Sequence, residues 1–336
     1  MRVLVETHPR YHAHDTGPGH PERPARLDAV LAGLEASGVG EGLVWAEPRA
    51  ATPDELARVH PREYLDTLEA FCAAGGGRLD TDTSAVPESW DAAVLAAGAG
   101  PDAIERIEGG EADAAFCAVR PPGHHATPTR AMGFCLLNNV AVAAAALADR
   151  GERVLVFDWD AHHGNGTQEA FYEDARVLYV SAHQWPLYPG TGRLEDTGSG
   201  PGLGLTVNLP FPAGTTGDVY LAAFDEVIAP AVEGFGPTWA IVSAGFDAHR
   251  ADPLTGLGLS AGDYADLTAR LLGLLPGVPL LAFLEGGYDL QALALSAGAF
   301  VGALADSPFS PEPPSSGGPG RPIVDAALRL RAEGPM

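Results

Sequence analysis

The sequence of 336 residues contains no lysine, so arginine supplies all 20 basic side chains, against 44 aspartates and glutamates. The absence of lysine excludes Schiff-base catalysis and the phosphate-binding motifs that require a lysine. The formal net charge of −24 repels polyanions, so nucleic acid is not an expected partner.

Cysteine and long apolar runs are also scarce. The three cysteines, Cys72, Cys117 and Cys135, are too far apart in sequence for a CxxC motif, which argues against a disulfide framework or a thiolate zinc site. The apolar run near Met1 is too short for a signal peptide, and no stretch reaches about 18 uninterrupted apolar residues. We therefore expect a cytoplasmic protein that does not interact with membranes.

Short apolar runs alternate with helical patterns along most of the chain. The runs predict strands at Arg2–Glu6, Ala112–Val119, Val154–Trp159, Val177–Ser181, Leu205–Leu209, Trp239–Ala244 and Pro279–Leu284. Helices are predicted at Arg23–Ser37, from Thr52, and at Ser89–Glu108, Asn139–Arg150, Thr216–Glu233, Ser260–Leu274 and Leu290–Ala305. This alternation is typical of an α/β fold, and we predict a single domain over residues 1–305 whose mostly parallel sheet of about eight strands has helices on both faces.

The rest of the chain, residues 306–336, is rich in proline, glycine and serine. This composition predicts an extended tail packed on or near the domain, with a short helix near Val324–Arg331.

Several of the predicted strands are followed directly by polar or glycine-rich segments. These segments are Arg120–His125, Asp160–Gly166, Gly245–His249 and Glu285–Tyr288. In a parallel sheet the carboxyl ends of the strands meet at one edge, where ligands bind. Acids and imidazoles buried beside apolar strands need a compensating partner, so the sequence predicts a ligand site at this edge.

A metal ion is the partner that best explains these side chains. Asp160 and His162 are two residues apart, so they point to the same side of an extended chain, and Asp247 can reach the same point from a neighbouring strand. Three oxygen and nitrogen ligands with an open position describe a catalytic zinc site, although iron(II) or cobalt(II) would also bind. Each residue alone is better explained by helix capping or by pairing with arginine, but their convergence favours a metal.

Amide hydrolysis also needs a base, an acid and a donor to the oxyanion. The adjacent His124 and His125 would supply the first two, and Tyr288 the third. Adjacent histidines also occur by chance, and a Gly-Gly-Tyr segment is as typical of an ordinary turn. Together with the metal ligands, these residues suit metal-dependent hydrolysis of an amide.

The ordered motifs of the chain resemble the histone deacetylase family, which has the arginase–deacetylase fold. They are His20–Pro24, Pro122–His125, Gly133–Cys135, Asp158–Gly166, Ser243–His249 and Glu285–Tyr288. The resemblance extends from Met1 to about Ala305. It implies zinc ligation by Asp160, His162 and Asp247, a carbonyl donor in Tyr288, and a tandem catalytic pair in His124 and His125.

The same resemblance implies roles for side chains around the metal. The wall of an acyl-lysine tunnel would comprise Gly133, Phe134, Tyr188, which replaces a commoner phenylalanine, and the gatekeeper Leu254. Asp158 and Ser181 match a structural potassium site, and Arg23 matches an arginine near an internal acetate channel. Either Asp80 or Asp82 would hold the substrate backbone at the rim, and the sequence does not distinguish them.

Asn165 stands where class I enzymes carry aspartate, and the overall pattern resembles the class II branch more closely. If His124 faces Asp158 while His125 faces the neutral amide of Asn165, protonation is favoured on His124 and His125 remains neutral more easily. We therefore expect His125 to accept a proton from the attacking water and to pass it to the leaving amine, with His124 as an electrostatic partner.

The expected activity is hydrolysis of N-acetyl or short N-acyl lysine in proteins or peptides. The acidic composition also suits acetylpolyamines or other small acylated amines, although Leu254 follows Asp252-Pro253 where polyamine-selective relatives carry an acid. An arginase-like ureohydrolase would need carboxylates that bridge two manganese ions, where this chain has Asn165 and His249. A catalytically silent protein that binds acyl ligands is the remaining alternative, and the oligomeric state, a homodimer included, is open.

Overall fold

The computed structural model describes residues 1–307 and 309–334. Its strands are β1 (Val3–Glu6), β2 (Leu43–Ala46), β3 (Gly77–Arg78), β4 (Ser84–Ala85), β5 (Ala114–Cys117), β6 (Val154–Asp158), β7 (Val177–Gln184), β8 (Thr206–Phe211), β9 (Trp239–Ala244) and β10 (Leu280–Leu284). Eight of them form one parallel sheet in the order β2-β1-β5-β10-β9-β6-β7-β8, and β3 pairs with β4 in a separate antiparallel hairpin.

Helices connect the strands and cover the sheet. They are α1 (Ala25–Ala36), α2 (Pro53–Leu56), α3 (Arg62–Ala73), α4 (Ser89–Glu108), α5 (Asn139–Ala148), α6 (Asn165–Phe171), α7 (Gly217–Ala223), α8 (Ala229–Phe235), α9 (Ala261–Leu274), α10 (Leu290–Leu304) and α11 (Arg321–Glu333). Among the described residues, no helix combines the length and the apolar character that crossing a bilayer requires.

The predicted α/β fold is confirmed, and each predicted strand forms with small shifts at its ends. The capping box predicted at Thr52 is present, because its hydroxyl accepts from the Glu55 amide and the Glu55 carboxylate accepts from the Thr52 amide. The predicted helix over Thr216–Glu233 forms as α7 and α8 joined by a π-helical segment, Phe224–Ile228. Pro230, which lacks an amide hydrogen, lies at the start of α8 and favours this change of hydrogen-bond pattern.

The central strands are buried on both faces because helices pack on both sides of the sheet. Helix α10 packs against α1 and α9, and α4 packs against α5 and β5. On the side of the sheet covered by α10, the ring centre of Phe300 lies 5.5 Å from that of Phe116 in β5 and 5.7 Å from that of Trp159. This double cover leaves the carboxyl edge of the sheet as the place where polar side chains gather.

The segment after α10 packs on the domain. A Glu312 carboxylate oxygen accepts hydrogen bonds from the amide of Ala261 at 2.9 Å and from Nε2 of His249 at 2.7 Å. Helix α11 then buries Val324 and Ala327. The tail therefore covers one side of the loop that follows β9.

Candidate active site

The loops after β6 and β9 bring together the three residues predicted to bind metal. These strands are parallel neighbours, so Asp160 and His162 emerge beside Asp247. Nδ1 of His162 lies 3.0 Å from a carboxylate oxygen of Asp160 and 2.9 Å from one of Asp247. One ligand atom from each residue lies within 4.8 Å of the others, and all three side chains are buried.

Main-chain amides hold the two carboxylates in this arrangement. Gly286 donates to Asp160 at 2.7 Å, and Ala161 donates to Asp247 at 2.7 Å. A Cβ atom at Gly286 would lie 2.1 Å from a carboxylate oxygen of Asp247, so only glycine permits this approach of the backbone.

Two buried carboxylates side by side require a positive counterpart. Burial, followed by the charge of Asp160, raises the pKa of Asp247 to about 7. A divalent metal would relieve this repulsion, and one imidazole nitrogen with two carboxylate oxygens is a ligand set that zinc, iron(II) and cobalt(II) accept. The residues present therefore fit a single divalent ion.

The two adjacent histidines have the partners that the sequence predicts. Nδ1 of His124 lies 3.0 Å from a carboxylate oxygen of Asp158, and Nδ1 of His125 lies 2.9 Å from the amide oxygen of Asn165. Burial opposes the charged form of both rings, but the charges of Asp160 and Asp158 outweigh it and raise the pKa of His124. Burial, reinforced by the neighbouring His124, lowers the pKa of His125.

Glu285 positions the histidine pair, a role that sequence reasoning did not assign to it. One of its carboxylate oxygens accepts from the amides of Gly123 at 2.7 Å and of His124 at 3.1 Å. The sequence did contain a signal for this role, because Glu285 is an acid that directly follows a buried strand and precedes the Gly-Gly-Tyr segment.

A narrow pocket of about 220 Å³ leads from the surface to these groups. It is lined by Asp82, His125, Gly133, Phe134, His162, Leu187, Tyr188, Leu254 and Tyr288. The expected tunnel residues thus lie together with His162 of the candidate metal triad, and Leu254 is 38% exposed at the mouth. Gly133 has a φ of 56°, and a Cβ there would lie 2.4 Å from the His125 ring, so the tunnel wall requires glycine at this position.

The two candidate rim acids have different surroundings. Asp82 lines the pocket, whereas Asp80 accepts a hydrogen bond from the guanidinium of Arg130 at 2.7 Å. Of the two acids, Asp82 is therefore the one that can contact a molecule bound in the pocket.

The structure does not support the role expected of Arg23, whose side chain is exposed. The arginine beside the site is Arg26, which is fully buried and has its guanidinium carbon 4.9 Å from the centre of the Tyr288 ring. Helix α1 begins at Ala25, and its first turn directs Arg26 inward toward Glu22.

The residues expected to bind potassium are direct neighbours across β6 and β7, where Asp158 pairs with Ser181. One Asp158 oxygen accepts from the amide of Asp160 at 3.1 Å, and the Ser181 hydroxyl lies 2.9 Å from Nδ1 of His183.

The positions that would have to bridge a second metal are engaged elsewhere. His249 binds Glu312 through Nε2, and Asn165 binds His125. This geometry disfavours the two-metal site of a ureohydrolase.

Comparison with known proteins gives consistent matches. The histone deacetylase domain family matches residues 20–304. A probable deacetylase of Archaeoglobus fulgidus is 42% identical over 297 residues, which are 87% of this chain and 82% of that protein. A histone deacetylase-like amidohydrolase of Pseudomonas aeruginosa is 40% identical over 277 residues, 81% of this chain and 73% of that protein.

The crystal structure of the HDA15 HD domain superposes with a TM-score of 0.91 at 38% identity, covering 98% of this chain and 94% of that one. Sequence and fold therefore agree over nearly the whole chain, including the segments that carry the buried triad, the histidine pair and Tyr288. The chain belongs to the histone deacetylase family and is a hydrolase that acts on amides.

Proposed function

We propose that this protein is a zinc-dependent deacylase that hydrolyses the side-chain amide of N-acetyl or short N-acyl lysine in proteins or peptides. One observation carries the proposal: His162 of the candidate metal triad, His125 and Tyr288 line the same pocket. An acyl amide that enters along the pocket meets a metal ligand, a base and a hydroxyl donor at the same point.

The walls of the pocket suit a flexible methylene chain. Phe134, Tyr188 and Leu254 provide apolar surface, and the Phe134 ring lies 5.8 Å from that of Tyr288. Asp82 at the rim would accept hydrogen bonds from the backbone amides of a peptide substrate. Together these features support a lysine side chain inserted from a peptide that lies across the mouth.

The protein side chains would divide the catalytic work. Tyr288 donates its hydroxyl to the acyl carbonyl oxygen, and burial keeps it a donor because it raises the pKa of the phenol well above its usual value. His125 takes a proton from the attacking water and later delivers it to the departing amine. His124, paired with Asp158, stabilises the charge that develops beside it. A bound zinc ion supplies Lewis-acid polarisation of the carbonyl and lowers the pKa of water.

Potassium belongs to the same proposal. Asp158 would ligate it together with Ser181, its neighbour on β7, and the main chain of Asp160 and His162. Such an ion would offset the charge of Asp158, which is fully buried.

The second candidate activity is hydrolysis of acetylpolyamines, which the net charge of −24 favours because it attracts cationic substrates. The apolar side chain of Leu254 at the mouth favours acyl-lysine instead, because it offers no charge to pair with a free amine.

A substrate screen tests the proposal. Metal-depleted protein receives zinc, iron(II) or cobalt(II) in turn, and kcat/KM is compared for acetyl-lysine peptides, N-acetylputrescine and other acetylated amines. We expect peptides to be the best substrates with zinc restored. Preference for N-acetylputrescine would establish the second candidate, and no turnover of any acyl amide with any metal would refute both.

Asp80→Asn and Asp82→Asn form a matched pair for the peptide contact. Asp82→Asn should raise KM for peptides and leave KM for small acetylated amines unchanged, whereas Asp80→Asn should affect neither substrate. Equal effects of the two variants would remove Asp82 from the rim.

A further inference from the structure

Glu22 lies at the centre of a buried ion network outside the pocket. Its side chain is fully buried, and its carboxylate contacts the guanidinium groups of both Arg26 and Arg120. One oxygen lies 3.1 Å from Nη1 of Arg26, and the other accepts from Nη2 of Arg120 at 2.7 Å. Both arginines are also fully buried, so this carboxylate neutralises cations that solvent does not reach.

The first arginine holds the loop that carries the phenol. Nε of Arg26 donates to the carbonyl of Gly287 at 2.6 Å, and Nη2 donates to the carbonyl of Glu285. These two carbonyls lie on either side of Gly286, and Gly287 directly precedes Tyr288. The guanidinium of Arg26 also lies over the Tyr288 ring. A shift of Arg26 would therefore move the backbone that sets the position of the hydroxyl.

The second arginine holds the start of the loop that carries the histidine pair. Arg120 donates to the carbonyls of Tyr11 at 2.8 Å and His14 at 3.1 Å. It precedes Pro121, Pro122 and Gly123, which lead directly to His124.

The two loops also meet at Glu285. Its carboxylate binds the amides of Gly123 and His124, while its own carbonyl is bound by Arg26. The contacts thus close a ring that runs from Glu22 through Arg26 and Glu285 to His124, and back through Arg120.

We propose that Glu22 is a positioning residue that fixes the Tyr288 loop relative to the His124–His125 loop through its two arginines. This inference rests on the proposed function, because it assumes that the phenol and the imidazoles act on one substrate. Removal of the carboxylate charge leaves two buried guanidinium groups without their shared anion, so each is expected to seek other partners and to release its loop.

The test compares Glu22→Gln with Glu55→Gln in the full chain with zinc restored. Glu55 is a matched control because it accepts hydrogen bonds from Arg49 at 2.8 and 2.9 Å, and its other contacts lie in the capping box of α2. For Glu22→Gln we expect kcat to fall about tenfold or more with KM little changed, because misalignment affects the reacting groups rather than the pocket. Glu55→Gln should change neither constant.

A double-mutant cycle separates positioning from general destabilisation. Tyr288→Phe already removes one of the groups that Glu22 aligns. The fold loss in kcat of the double variant Glu22→Gln/Tyr288→Phe should therefore be smaller, by about threefold or more, than the product of the fold losses of the two single variants. A purely structural effect would give multiplicative losses.

Hydrogen exchange provides a readout that does not depend on turnover. In Glu22→Gln the amide hydrogens of residues 123–125 and 285–290 should exchange faster, while those between residues 49 and 56 are unchanged. Glu55→Gln should show the reverse. If Glu22→Gln does not fold, Glu22→Asp replaces it, since the shorter side chain cannot reach both arginines and should give the same pattern.

The outcomes separate the two proposals. A wild-type protein without activity on any acyl amide contradicts the proposed function, and hydrogen exchange still decides the role of Glu22. If the wild type is active, three results would each overturn the role of Glu22 and leave the proposed function intact. They are an unchanged kcat in the Glu22 variant, multiplicative losses in the double-mutant cycle, and unchanged hydrogen exchange in both loops.

Discussion

The Nδ1 atom of His125 lies 2.9 Å from the side-chain oxygen of Asn165, so the proposed base is oriented by a neutral amide. Its neighbour His124 is oriented by a carboxylate, that of Asp158. Two imidazoles whose ring centres are only 4.0 Å apart thus have opposite electrostatic surroundings. This asymmetry favours the neutral form of His125 and the charged form of His124.

Replacement of Asn165 by aspartate should move the acidic limb of the kcat/KM profile to higher pH. A carboxylate next to His125 favours the protonated form of this histidine and raises its pKa. At a given acidic pH, a larger fraction of the enzyme then lacks a neutral His125 to act as the base. We expect the acidic limb to shift by about one pH unit or more. Full pH profiles of the two proteins measure this shift, and Gln168→Glu, on the same helix, serves as a control. An unshifted profile would mean that His125 is not the base.

Tyr288→Phe should lower kcat by about 10²–10³ if the hydroxyl stabilises the oxyanion. The ring remains, so its contacts with Phe134 and Arg26 should persist and KM should change little. Steady-state kinetics on an acetyl-lysine peptide, together with metal analysis to verify equal loading, provide the measurement. Turnover at the wild-type rate would exclude Tyr288 from the mechanism.

Metal depletion should abolish activity and lower thermal stability. A ligand present at 100 times its dissociation constant stabilises the folded state by about 2.7 kcal/mol, so added zinc should raise the unfolding midpoint of the depleted wild type. Asp247→Asn should lose most of this increase, whereas Asp80→Asn should retain it. Equal increases in both variants would place the metal elsewhere.

Glu6→Gln should stabilise the protein at alkaline pH. Glu6 is buried at the end of β1, and burial together with Asp102 raises its pKa to about 10, although Arg106 lies 3.6 Å away. A raised pKa in the folded state means that stability is greatest below the unfolded value near 4.5 and falls as the pH rises toward 10. Glutamine does not ionise and avoids this loss.

The free energy of unfolding, measured by urea titration from pH 5 to pH 8, tests this effect. The difference between Glu6→Gln and wild type should grow with pH and reach about 2 kcal/mol or more at pH 8. A difference independent of pH would show that Glu6 ionises in the folded protein.

The sequence predicted the triad because its members directly follow strands, and parallel strands bring their carboxyl ends together. Asp160, His162 and Asp247 could therefore be grouped without knowledge of the strand order. The tunnel residues Phe134 and Tyr188 depended on the family resemblance, since their segments have no regular periodicity that would place them.

Features that depend on the exact start of an element could not be predicted in the same way. Arg23 and Arg26 are less than one helical turn apart, and the inward direction of Arg26 follows from the start of α1 at Ala25. Strand β2 was missed because it is a four-residue edge strand in which Trp45 is 51% exposed. The choice of Asp82 over Asp80 likewise depends on a partner distant in sequence, Arg130.

The contact between Glu312 and the loop after β9 has a consequence for the limits of the functional unit. The matched family domain ends at residue 304, yet Glu312 binds His249, which lies two residues beyond the proposed metal ligand Asp247. A protein shortened at that boundary would lose the contact between Glu312 and the loop that carries Asp247. The folded unit of this chain thus extends beyond the end of the matched family domain.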